Sequence, residues 1–221
     1  MRLFGALHLT LIAVIVAVCF ALAKLAREGK LPMRAVRIGL GALLLVDEGV
    51  WLAFRYAHEG VHAWNLPLQL CDIDMFLAAA ACWTLRPAIV EFTYFAGVAG
   101  AGMAILTPDL WSPWPSYPAI DFFVSHGAIV ASVSMLVFGQ IVPLRRGAPW
   151  RAFGWLLVYA AALFAVDVVT RSNYMYLRVK PKGANLLDAF GPWPLYLAPA
   201  AVLGLGLYWL LWLIAPKRTW T

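Results

Sequence analysis
The chain is 221 residues long, 63% hydrophobic and 13% charged, with a formal net charge of +6 and a mean hydropathy of +0.80. A soluble domain of this size has too little interior for so much apolar surface, so the composition excludes one and makes a bilayer the solvent. The Lys and Arg residues lie in short loops between apolar runs, a juxtamembrane pattern; no nucleic-acid partner is expected.

A spanning helix needs roughly 20 apolar residues. Seven such runs occur, at about 4–23, 35–57, 68–85, 88–106, 121–143, 150–169 and 195–214. Pro32, Pro87, Pro118, Pro143, Pro149 and Pro194 fall at or near the breaks, as expected of a residue that cannot continue a helix. No repeat and no soluble segment stand out. The expectation is an all-α membrane protein, a polytopic bundle of about seven transmembrane helices forming a single transmembrane domain over 1–221. The first run follows a lone Arg and is expected to be a retained helix rather than a cleaved signal. Cys19, Cys71 and Cys82 form no CxxC pair, so neither a disulfide framework nor a metal knuckle is indicated.

Helix two carries "LLLVDEGVW", with Asp47 and Glu48 near mid-membrane. A charge there costs on the order of 2.5–3.5 kcal/mol by insertion scales, so each is expected to be paired or functional. Glu48 is expected to face the bundle interior and bond a Tyr, Trp or Asn of a neighbouring helix. Arg55, seven residues on, shares its face but lies too far along for direct contact. His58 and His62 are spaced i, i+4; they form a metal pair only if helical, and a loop or helix end is the simpler reading. No metal is expected.

The stretch "LPLQLCDIDMF" (Leu66–Phe76) opens helix three. Asn65 reads as its N-cap with Pro67 in the first turn, so Cys71 lies about one turn inside. Asp74, at i+3, is nearer the Cys71 face than Asp72 is. The loop "TPDLWSPWPSYPAI" (Thr107–Ile120) reads as an aromatic belt at the headgroups, or as a lipid-binding lip over a site. Asp121 reads as the N-cap of helix five, with His126 five residues on. At about 1.5 Å per residue, Cys71 and His126 both lie roughly 8 Å inside the same face. Helix six brings Asp167 and the following "RSNYMYL" (Arg171–Leu177) to that end.

A thiol with an unperturbed pKa of about 8.5 needs help to become a nucleophile. The positive end of helix three and a proton acceptor at His126 would supply it, while Asp72 and Asp74 oppose it by like charge. On spacing alone, an inert buried cysteine and a structural histidine remain the commoner readings. Other seven-helix chemistries fit less well. Helix seven has no lysine for a retinal Schiff base, and only His126 is deep enough to ligate a haem. Cys71 and Cys82 are three turns apart, too far for a disulfide.

"LPLQLCDIDMF", His126–Gly127, "NYMYLRVKP" (Asn173–Pro181) and "NLLDAFGPWPLYL" (Asn185–Leu197) occur in that order. Together they resemble the YwaF-like bacterial integral membrane family, which is similar to the eukaryotic transmembrane ether-phospholipid acyltransferase and, distantly, to the androgen-induced-gene lipid hydrolases. Gln69 stands where the family pattern often has His, which removes a second imidazole near the thiol. The resemblance implies Cys71 as acyl-accepting nucleophile and His126 as its base. It also implies Asn173 and Tyr174 as ligands of the headgroup or oxyanion. Gln69 and Asp74 complete the expected substrate-binding set, and Glu48, Asp47 and Asp167 form a supporting polar network. The expected activity is phospholipid acyl transfer, a cysteine-dependent transacylation between phospholipid and lysophospholipid in a bacterial inner membrane. No phosphate-cradling Gly loop is visible and no cofactor is expected. An intramembrane lipid hydrolase is one alternative. A non-enzymatic transporter or lipid-binding protein, with Asp47, Glu48 and Asp167 on a polar pathway, is the other.

Orientation follows from the basic residues. Lys24, Arg27, Lys30, Arg34, Arg37, Arg86, Arg145, Arg146, Arg151, Lys217 and Arg218 share one side; Arg2, Arg55, Arg171, Arg178, Lys180 and Lys182 share the other. The richer side is cytoplasmic by the positive-inside rule, so the N-terminus faces out. Alkaline phosphatase fused after Thr221 is expected to be inactive and green fluorescent protein fused there to be bright; the opposite pair of signals overturns this topology.

Overall fold
The computed structural model describes residues 2–110, 112–181 and 186–216. Lys182, Lys217 and Arg218 of the charge comparison, Trp111 of the aromatic loop and Asn185 of the fourth motif lie outside the described residues. Among the described residues seven α-helices run α1 (Ala6–Arg27), α2 (Met33–Glu59), α3 (Leu70–Thr84), α4 (Pro87–Leu106), α5 (Tyr117–Phe138), α6 (Ala148–Thr170) and α7 (Leu197–Ile214). Two 3-10 turns, Tyr174–Tyr176 and Leu186–Phe190, lie between α6 and α7. The protein is a polytopic helical membrane protein. Helices α1, α4, α5, α6 and α7 are each long and apolar enough to cross a bilayer. Helix α2 is 27 residues long but interrupts its apolar run with Asp47 and Glu48. Helix α3 has 15 residues, about 22 Å at 1.5 Å per residue and short of a hydrocarbon core of about 30 Å.

Prolines start the helices as their chemistry requires. Pro87 stands at the first position of α4, and Pro118 and Pro149 lie in the first turns of α5 and α6, where a missing N–H costs little. Two boundaries differ from expectation. Helix α3 starts at Leu70 with Gln69 as N-cap, and Asn65 instead closes the preceding loop. Helix α5 starts at Tyr117 with Ser116 as N-cap, so Asp121 lies in its second turn, and it ends at Phe138 before a left-handed Gln140. The Asn65 reading failed because Asn is as good a loop residue as a cap, and sequence alone does not separate the two.

Helix α4 is central, packed by α3, α5, α6 and α7, while α5 also carries α1 and α2. Small residues allow the approach: Ala78, Ala79 and Ala81 of α3 are fully buried. A Cβ on Gly97 of α4 would come within 2.9 Å of Ile129 and 3.5 Å of the Asp74 carboxyl carbon. Without a hydrophobic force between helices in lipid, such van der Waals fit is what holds a bundle. Sparse polar ties reinforce it. The Tyr94 hydroxyl donates to the Leu211 carbonyl at 3.0 Å, joining α4 to α7. His8 donates from Nε2 to the Ile105 carbonyl at 2.8 Å and accepts the Phe4 amide on Nδ1 at 3.0 Å, which ties α1 to α4.

At the opposite end of α4, the buried Glu91 carboxylate takes the Arg145 amide at 2.8 Å, its guanidinium at 2.8 and 3.0 Å, and Arg151 at 3.0 Å. This pins the α5–α6 loop to the core. Charge-assisted bonds of this kind are worth about 1.5–3 kcal/mol each, and removing one partner strands the others. Glu91→Gln is expected to lower the melting temperature in detergent by several degrees, consistent with a loss of about 2–3 kcal/mol. An unchanged melting curve would remove Glu91 from the list of structural ties.

Candidate active site
The start of α3 is built from its cap outward. Gln69 accepts the Asp72 amide with its side chain while the Asp72 carboxylate accepts the Gln69 amide at 3.0 Å, a reciprocal capping box. Cys71 is therefore the second residue of the helix, closer to the N-terminus than expected. Its amide and that of Leu70 have no carbonyl four residues back within the helix, and the positive end of the helix dipole lies at the thiol.

Equal counting from helix starts was expected to give Cys71 and His126 one depth. The counts prove unequal, because His126 lies nine residues into α5 and Cys71 only one into α3. The two still border one cavity of about 470 Å³. The short α3 offsets much of the difference: with 15 residues against 20 in its antiparallel neighbour α4, it begins about 7 Å short of the end of α4. The His126 Nδ1 lies 2.7 Å from the Phe122 carbonyl and 3.2 Å from Ser125 Oγ. A carbonyl can only accept, so Nδ1 carries the hydrogen, and in the neutral ring Nε2 keeps its lone pair. The Phe122 ring stacks on the imidazole at 4.3 Å and fixes its plane.

The charged part of the wall is mainly acidic. Asp47, Glu48, Asp72, Asp109 and Asp121 line the cavity with Arg55. Glu48 faces the interior as expected, 3% exposed. The expected hydrogen bond from a neighbouring helix is not found, and its Oε1 has no partner among the described residues. Tyr117 donates to Asp121 at 3.2 Å. The loop after α4 reaches the cavity through Thr107 and Asp109.

Tyr176 also lines the cavity, a residue the sequence reading passed over within "RSNYMYL". Met175 and Tyr176 both adopt left-handed φ, at 52° and 54°. That costs an L-residue steric strain, which is repeatedly found at functional sites, and it turns Tyr176 inward where Tyr174 turns away. Burial, then the neighbouring Asp109 and Cys71, push the Tyr176 phenol up from its usual range, so it remains a hydrogen-bond donor.

Four expected site residues do not reach this wall. Asn173 spends its side chain on the loop after it, donating to the Val179 carbonyl at 2.7 Å and accepting the Arg178 and Val179 amides at 3.0 Å. The Tyr174 hydroxyl donates to the Ala63 carbonyl at 2.8 Å and accepts the Leu66 amide at 2.9 Å, and its own amide goes to Asp167 at 2.9 Å. Asp167 acts from the core in that network. Asp74 is buried against α4 at Gly97, so of the two aspartates it is Asp72 that borders the cavity. Gln69 is on the wall, with its Oε1 also holding the Met175 amide at 3.0 Å. His58 ends α2 and His62 lies in the next loop, each donating to a backbone carbonyl.

Cys71 borders an open cavity while Cys82 is fully buried. A small, membrane-permeant thiol reagent is expected to modify Cys71 at least about tenfold faster than Cys82, since thiol reactivity requires access. Peptide mass spectrometry that finds Cys82 labelled first would show the cavity to be closed.

Among curated proteins and among solved structures, nothing matches the chain. The profile of the TMEM164 family matches residues 3–213, from the start of the first helix to the end of the last. The chain belongs to the TMEM164 family.

Proposed function
We propose that the protein is a membrane-embedded phospholipid acyltransferase, a transacylase that carries the acyl group on Cys71. One observation carries this reading: the Cys71 thiol and the imidazole whose Nε2 lone pair is free border one cavity. Its volume is in the range of sites for small molecules. His126 Nε2 takes the thiol proton as sulfur attacks the ester carbonyl of a phospholipid, so no free thiolate has to persist beside Asp72. The tetrahedral intermediate collapses to a thioester, and His126 returns the proton to the departing glycerol oxygen. In the second half, His126 removes the proton from a lysophospholipid hydroxyl, which attacks the thioester, and the sulfur regains its proton on leaving.

The oxyanion donors in this reading are the first-turn amides of α3 and the Tyr176 hydroxyl; one such donor contributes roughly 3 kcal/mol. Asn173 and Tyr174, expected to bind substrate, act instead by holding the loop that positions α3. Water in place of the acceptor hydroxyl would make the same machinery a lipid hydrolase. The acid-lined wall supports a second reading, a non-enzymatic transporter or lipid-binding protein in which Glu48 and Asp121 border a polar pathway and Cys71 is incidental.

Incubation with phospholipid is expected to leave a fatty-acyl adduct on Cys71 that neutral hydroxylamine removes. His126→Ala is expected to slow its formation by about 10²–10⁴-fold, Cys71→Ser to retain weak turnover, and Cys19→Ala and Cys82→Ala to be silent. Acyl transfer to lysophospholipid, set against release of free fatty acid, separates transferase from hydrolase. An adduct that persists in Cys71→Ala overturns the assignment, and no adduct with lipid exchange lost in Glu48→Gln favours the non-enzymatic reading.

A further inference from the structure
The cavity adjoins a vestibule of about 280 Å³, and Trp51, Arg55 and Gln69 belong to both walls. Arg55 is the only Lys or Arg among the described residues of either wall. One of its terminal nitrogens donates to the Asn65 carbonyl. Its Nε is buried and has no acceptor, and no carboxylate of the described residues forms an ion pair with it. The Trp51 ring lies 5.9 Å from the guanidinium carbon and braces one face of it. A guanidinium on the wall of a cavity, with donors left over after the one given to the Asn65 carbonyl, is matched to a tetrahedral oxyanion that accepts from two N–H groups together. The other charged residues of the two walls are all carboxylates, Asp47, Glu48, Glu59, Asp72, Asp109 and Asp121, so among the described residues Arg55 is the one group on either wall that attracts an anion.

Building on the acyl-transfer reading, we propose that Arg55 is the phosphate anchor of the lipid substrate. Its N–H groups hold a non-bridging phosphate oxygen where vestibule and cavity meet. Only a few bonds separate that phosphate from the glycerol ester, so fixing one brings the other toward Cys71. Arg55 is a positioning residue: it takes no part in bond making, and it selects phosphate-bearing lipids over neutral glycerides.

The test uses the full chain in detergent micelles with two uncleavable probes, a dialkyl-ether phosphatidylmethanol and the phosphate-free dialkylglycerol. Tryptophan fluorescence reads binding, and the part that disappears in Trp51→Phe is assigned to Trp51. Wild type is expected to bind the phosphate-bearing probe roughly tenfold more tightly than its analogue. Arg55→Gln is expected to abolish that ratio. Arg55→Lys, which keeps the charge but not the fork, is expected to restore part of it. In turnover assays Arg55→Gln is expected to raise KM about tenfold with kcat changed little, because it removes binding common to ground and transition states. Inorganic phosphate at millimolar concentration is expected not to displace the probe. Displacement by it in an Arg55-dependent way would assign the site to a free anion and overturn the lipid anchor. An affinity ratio unchanged in both variants would also overturn it. If the Arg55-dependent ratio holds while Cys71→Ala leaves turnover intact, the acyl-transfer reading falls and the anchor stands; Cys71-dependent turnover with no Arg55 effect removes the anchor alone.

Discussion
Everything about the cavity depends on a helix that starts inside the bundle. Helix α3 is shorter than its neighbours, and its first turn and the residues just before it, Asn65 to Gln69, are buried or half-buried. Each backbone donor and acceptor there must find a partner in the protein, because an unmet one costs several kcal/mol in hydrocarbon. The chain after α6 provides many of these partners. Tyr174 and Ser172 both donate to the Ala63 carbonyl, and Tyr159 donates to that of Leu68 at 2.7 Å. Asp167 and Gln69 take the Tyr174 and Met175 amides in return. The loop, the cap and the 3-10 turn are one hydrogen-bonded unit, and the position of Cys71 is its output.

That unit explains why polar residues sit at the entrance of an apolar run. Gln69 and Asp72 satisfy the helix start, Asp167 and Tyr174 hold the loop, and what remains uncommitted faces the cavity: a thiol, the Nε2 edge of His126, Glu48 and the Arg55 donors not given to the Asn65 carbonyl. The division is physical. Groups bonded to backbone are fixed and chemically spent, whereas unpartnered buried groups carry an energetic cost that a ligand can relieve. The proposed roles fall on the second set.

The pairing of His126 with Gly127 illustrates how fold and site share residues. A Cβ on Gly127 would stand 3.1 Å from Ile15 of α1. The glycine lets α1 close on α5 immediately beside the histidine, and His8 ties the start of α1 to the close of α4.

The sequence by itself determined the solvent, the number of helices and the prolines that start three of them, because hydropathy and proline chemistry act locally. It also determined that Cys71 and His126 would approach the same end of the bundle. Only the tertiary structure decided which polar groups face the cavity. Tyr174 and Tyr176 differ by two positions in one short motif, and two left-handed residues, invisible in composition, send one into the loop network and the other onto the wall. Asp72 and Asp74 were separable only once the cap at Gln69 set the rotation of α3, and Asn173 was claimed by carbonyls and amides that the fold brings around it. A side chain's type is encoded locally, but the partner it meets is a property of packing, and in a membrane interior the partner decides whether a polar group supports the structure or remains free to act.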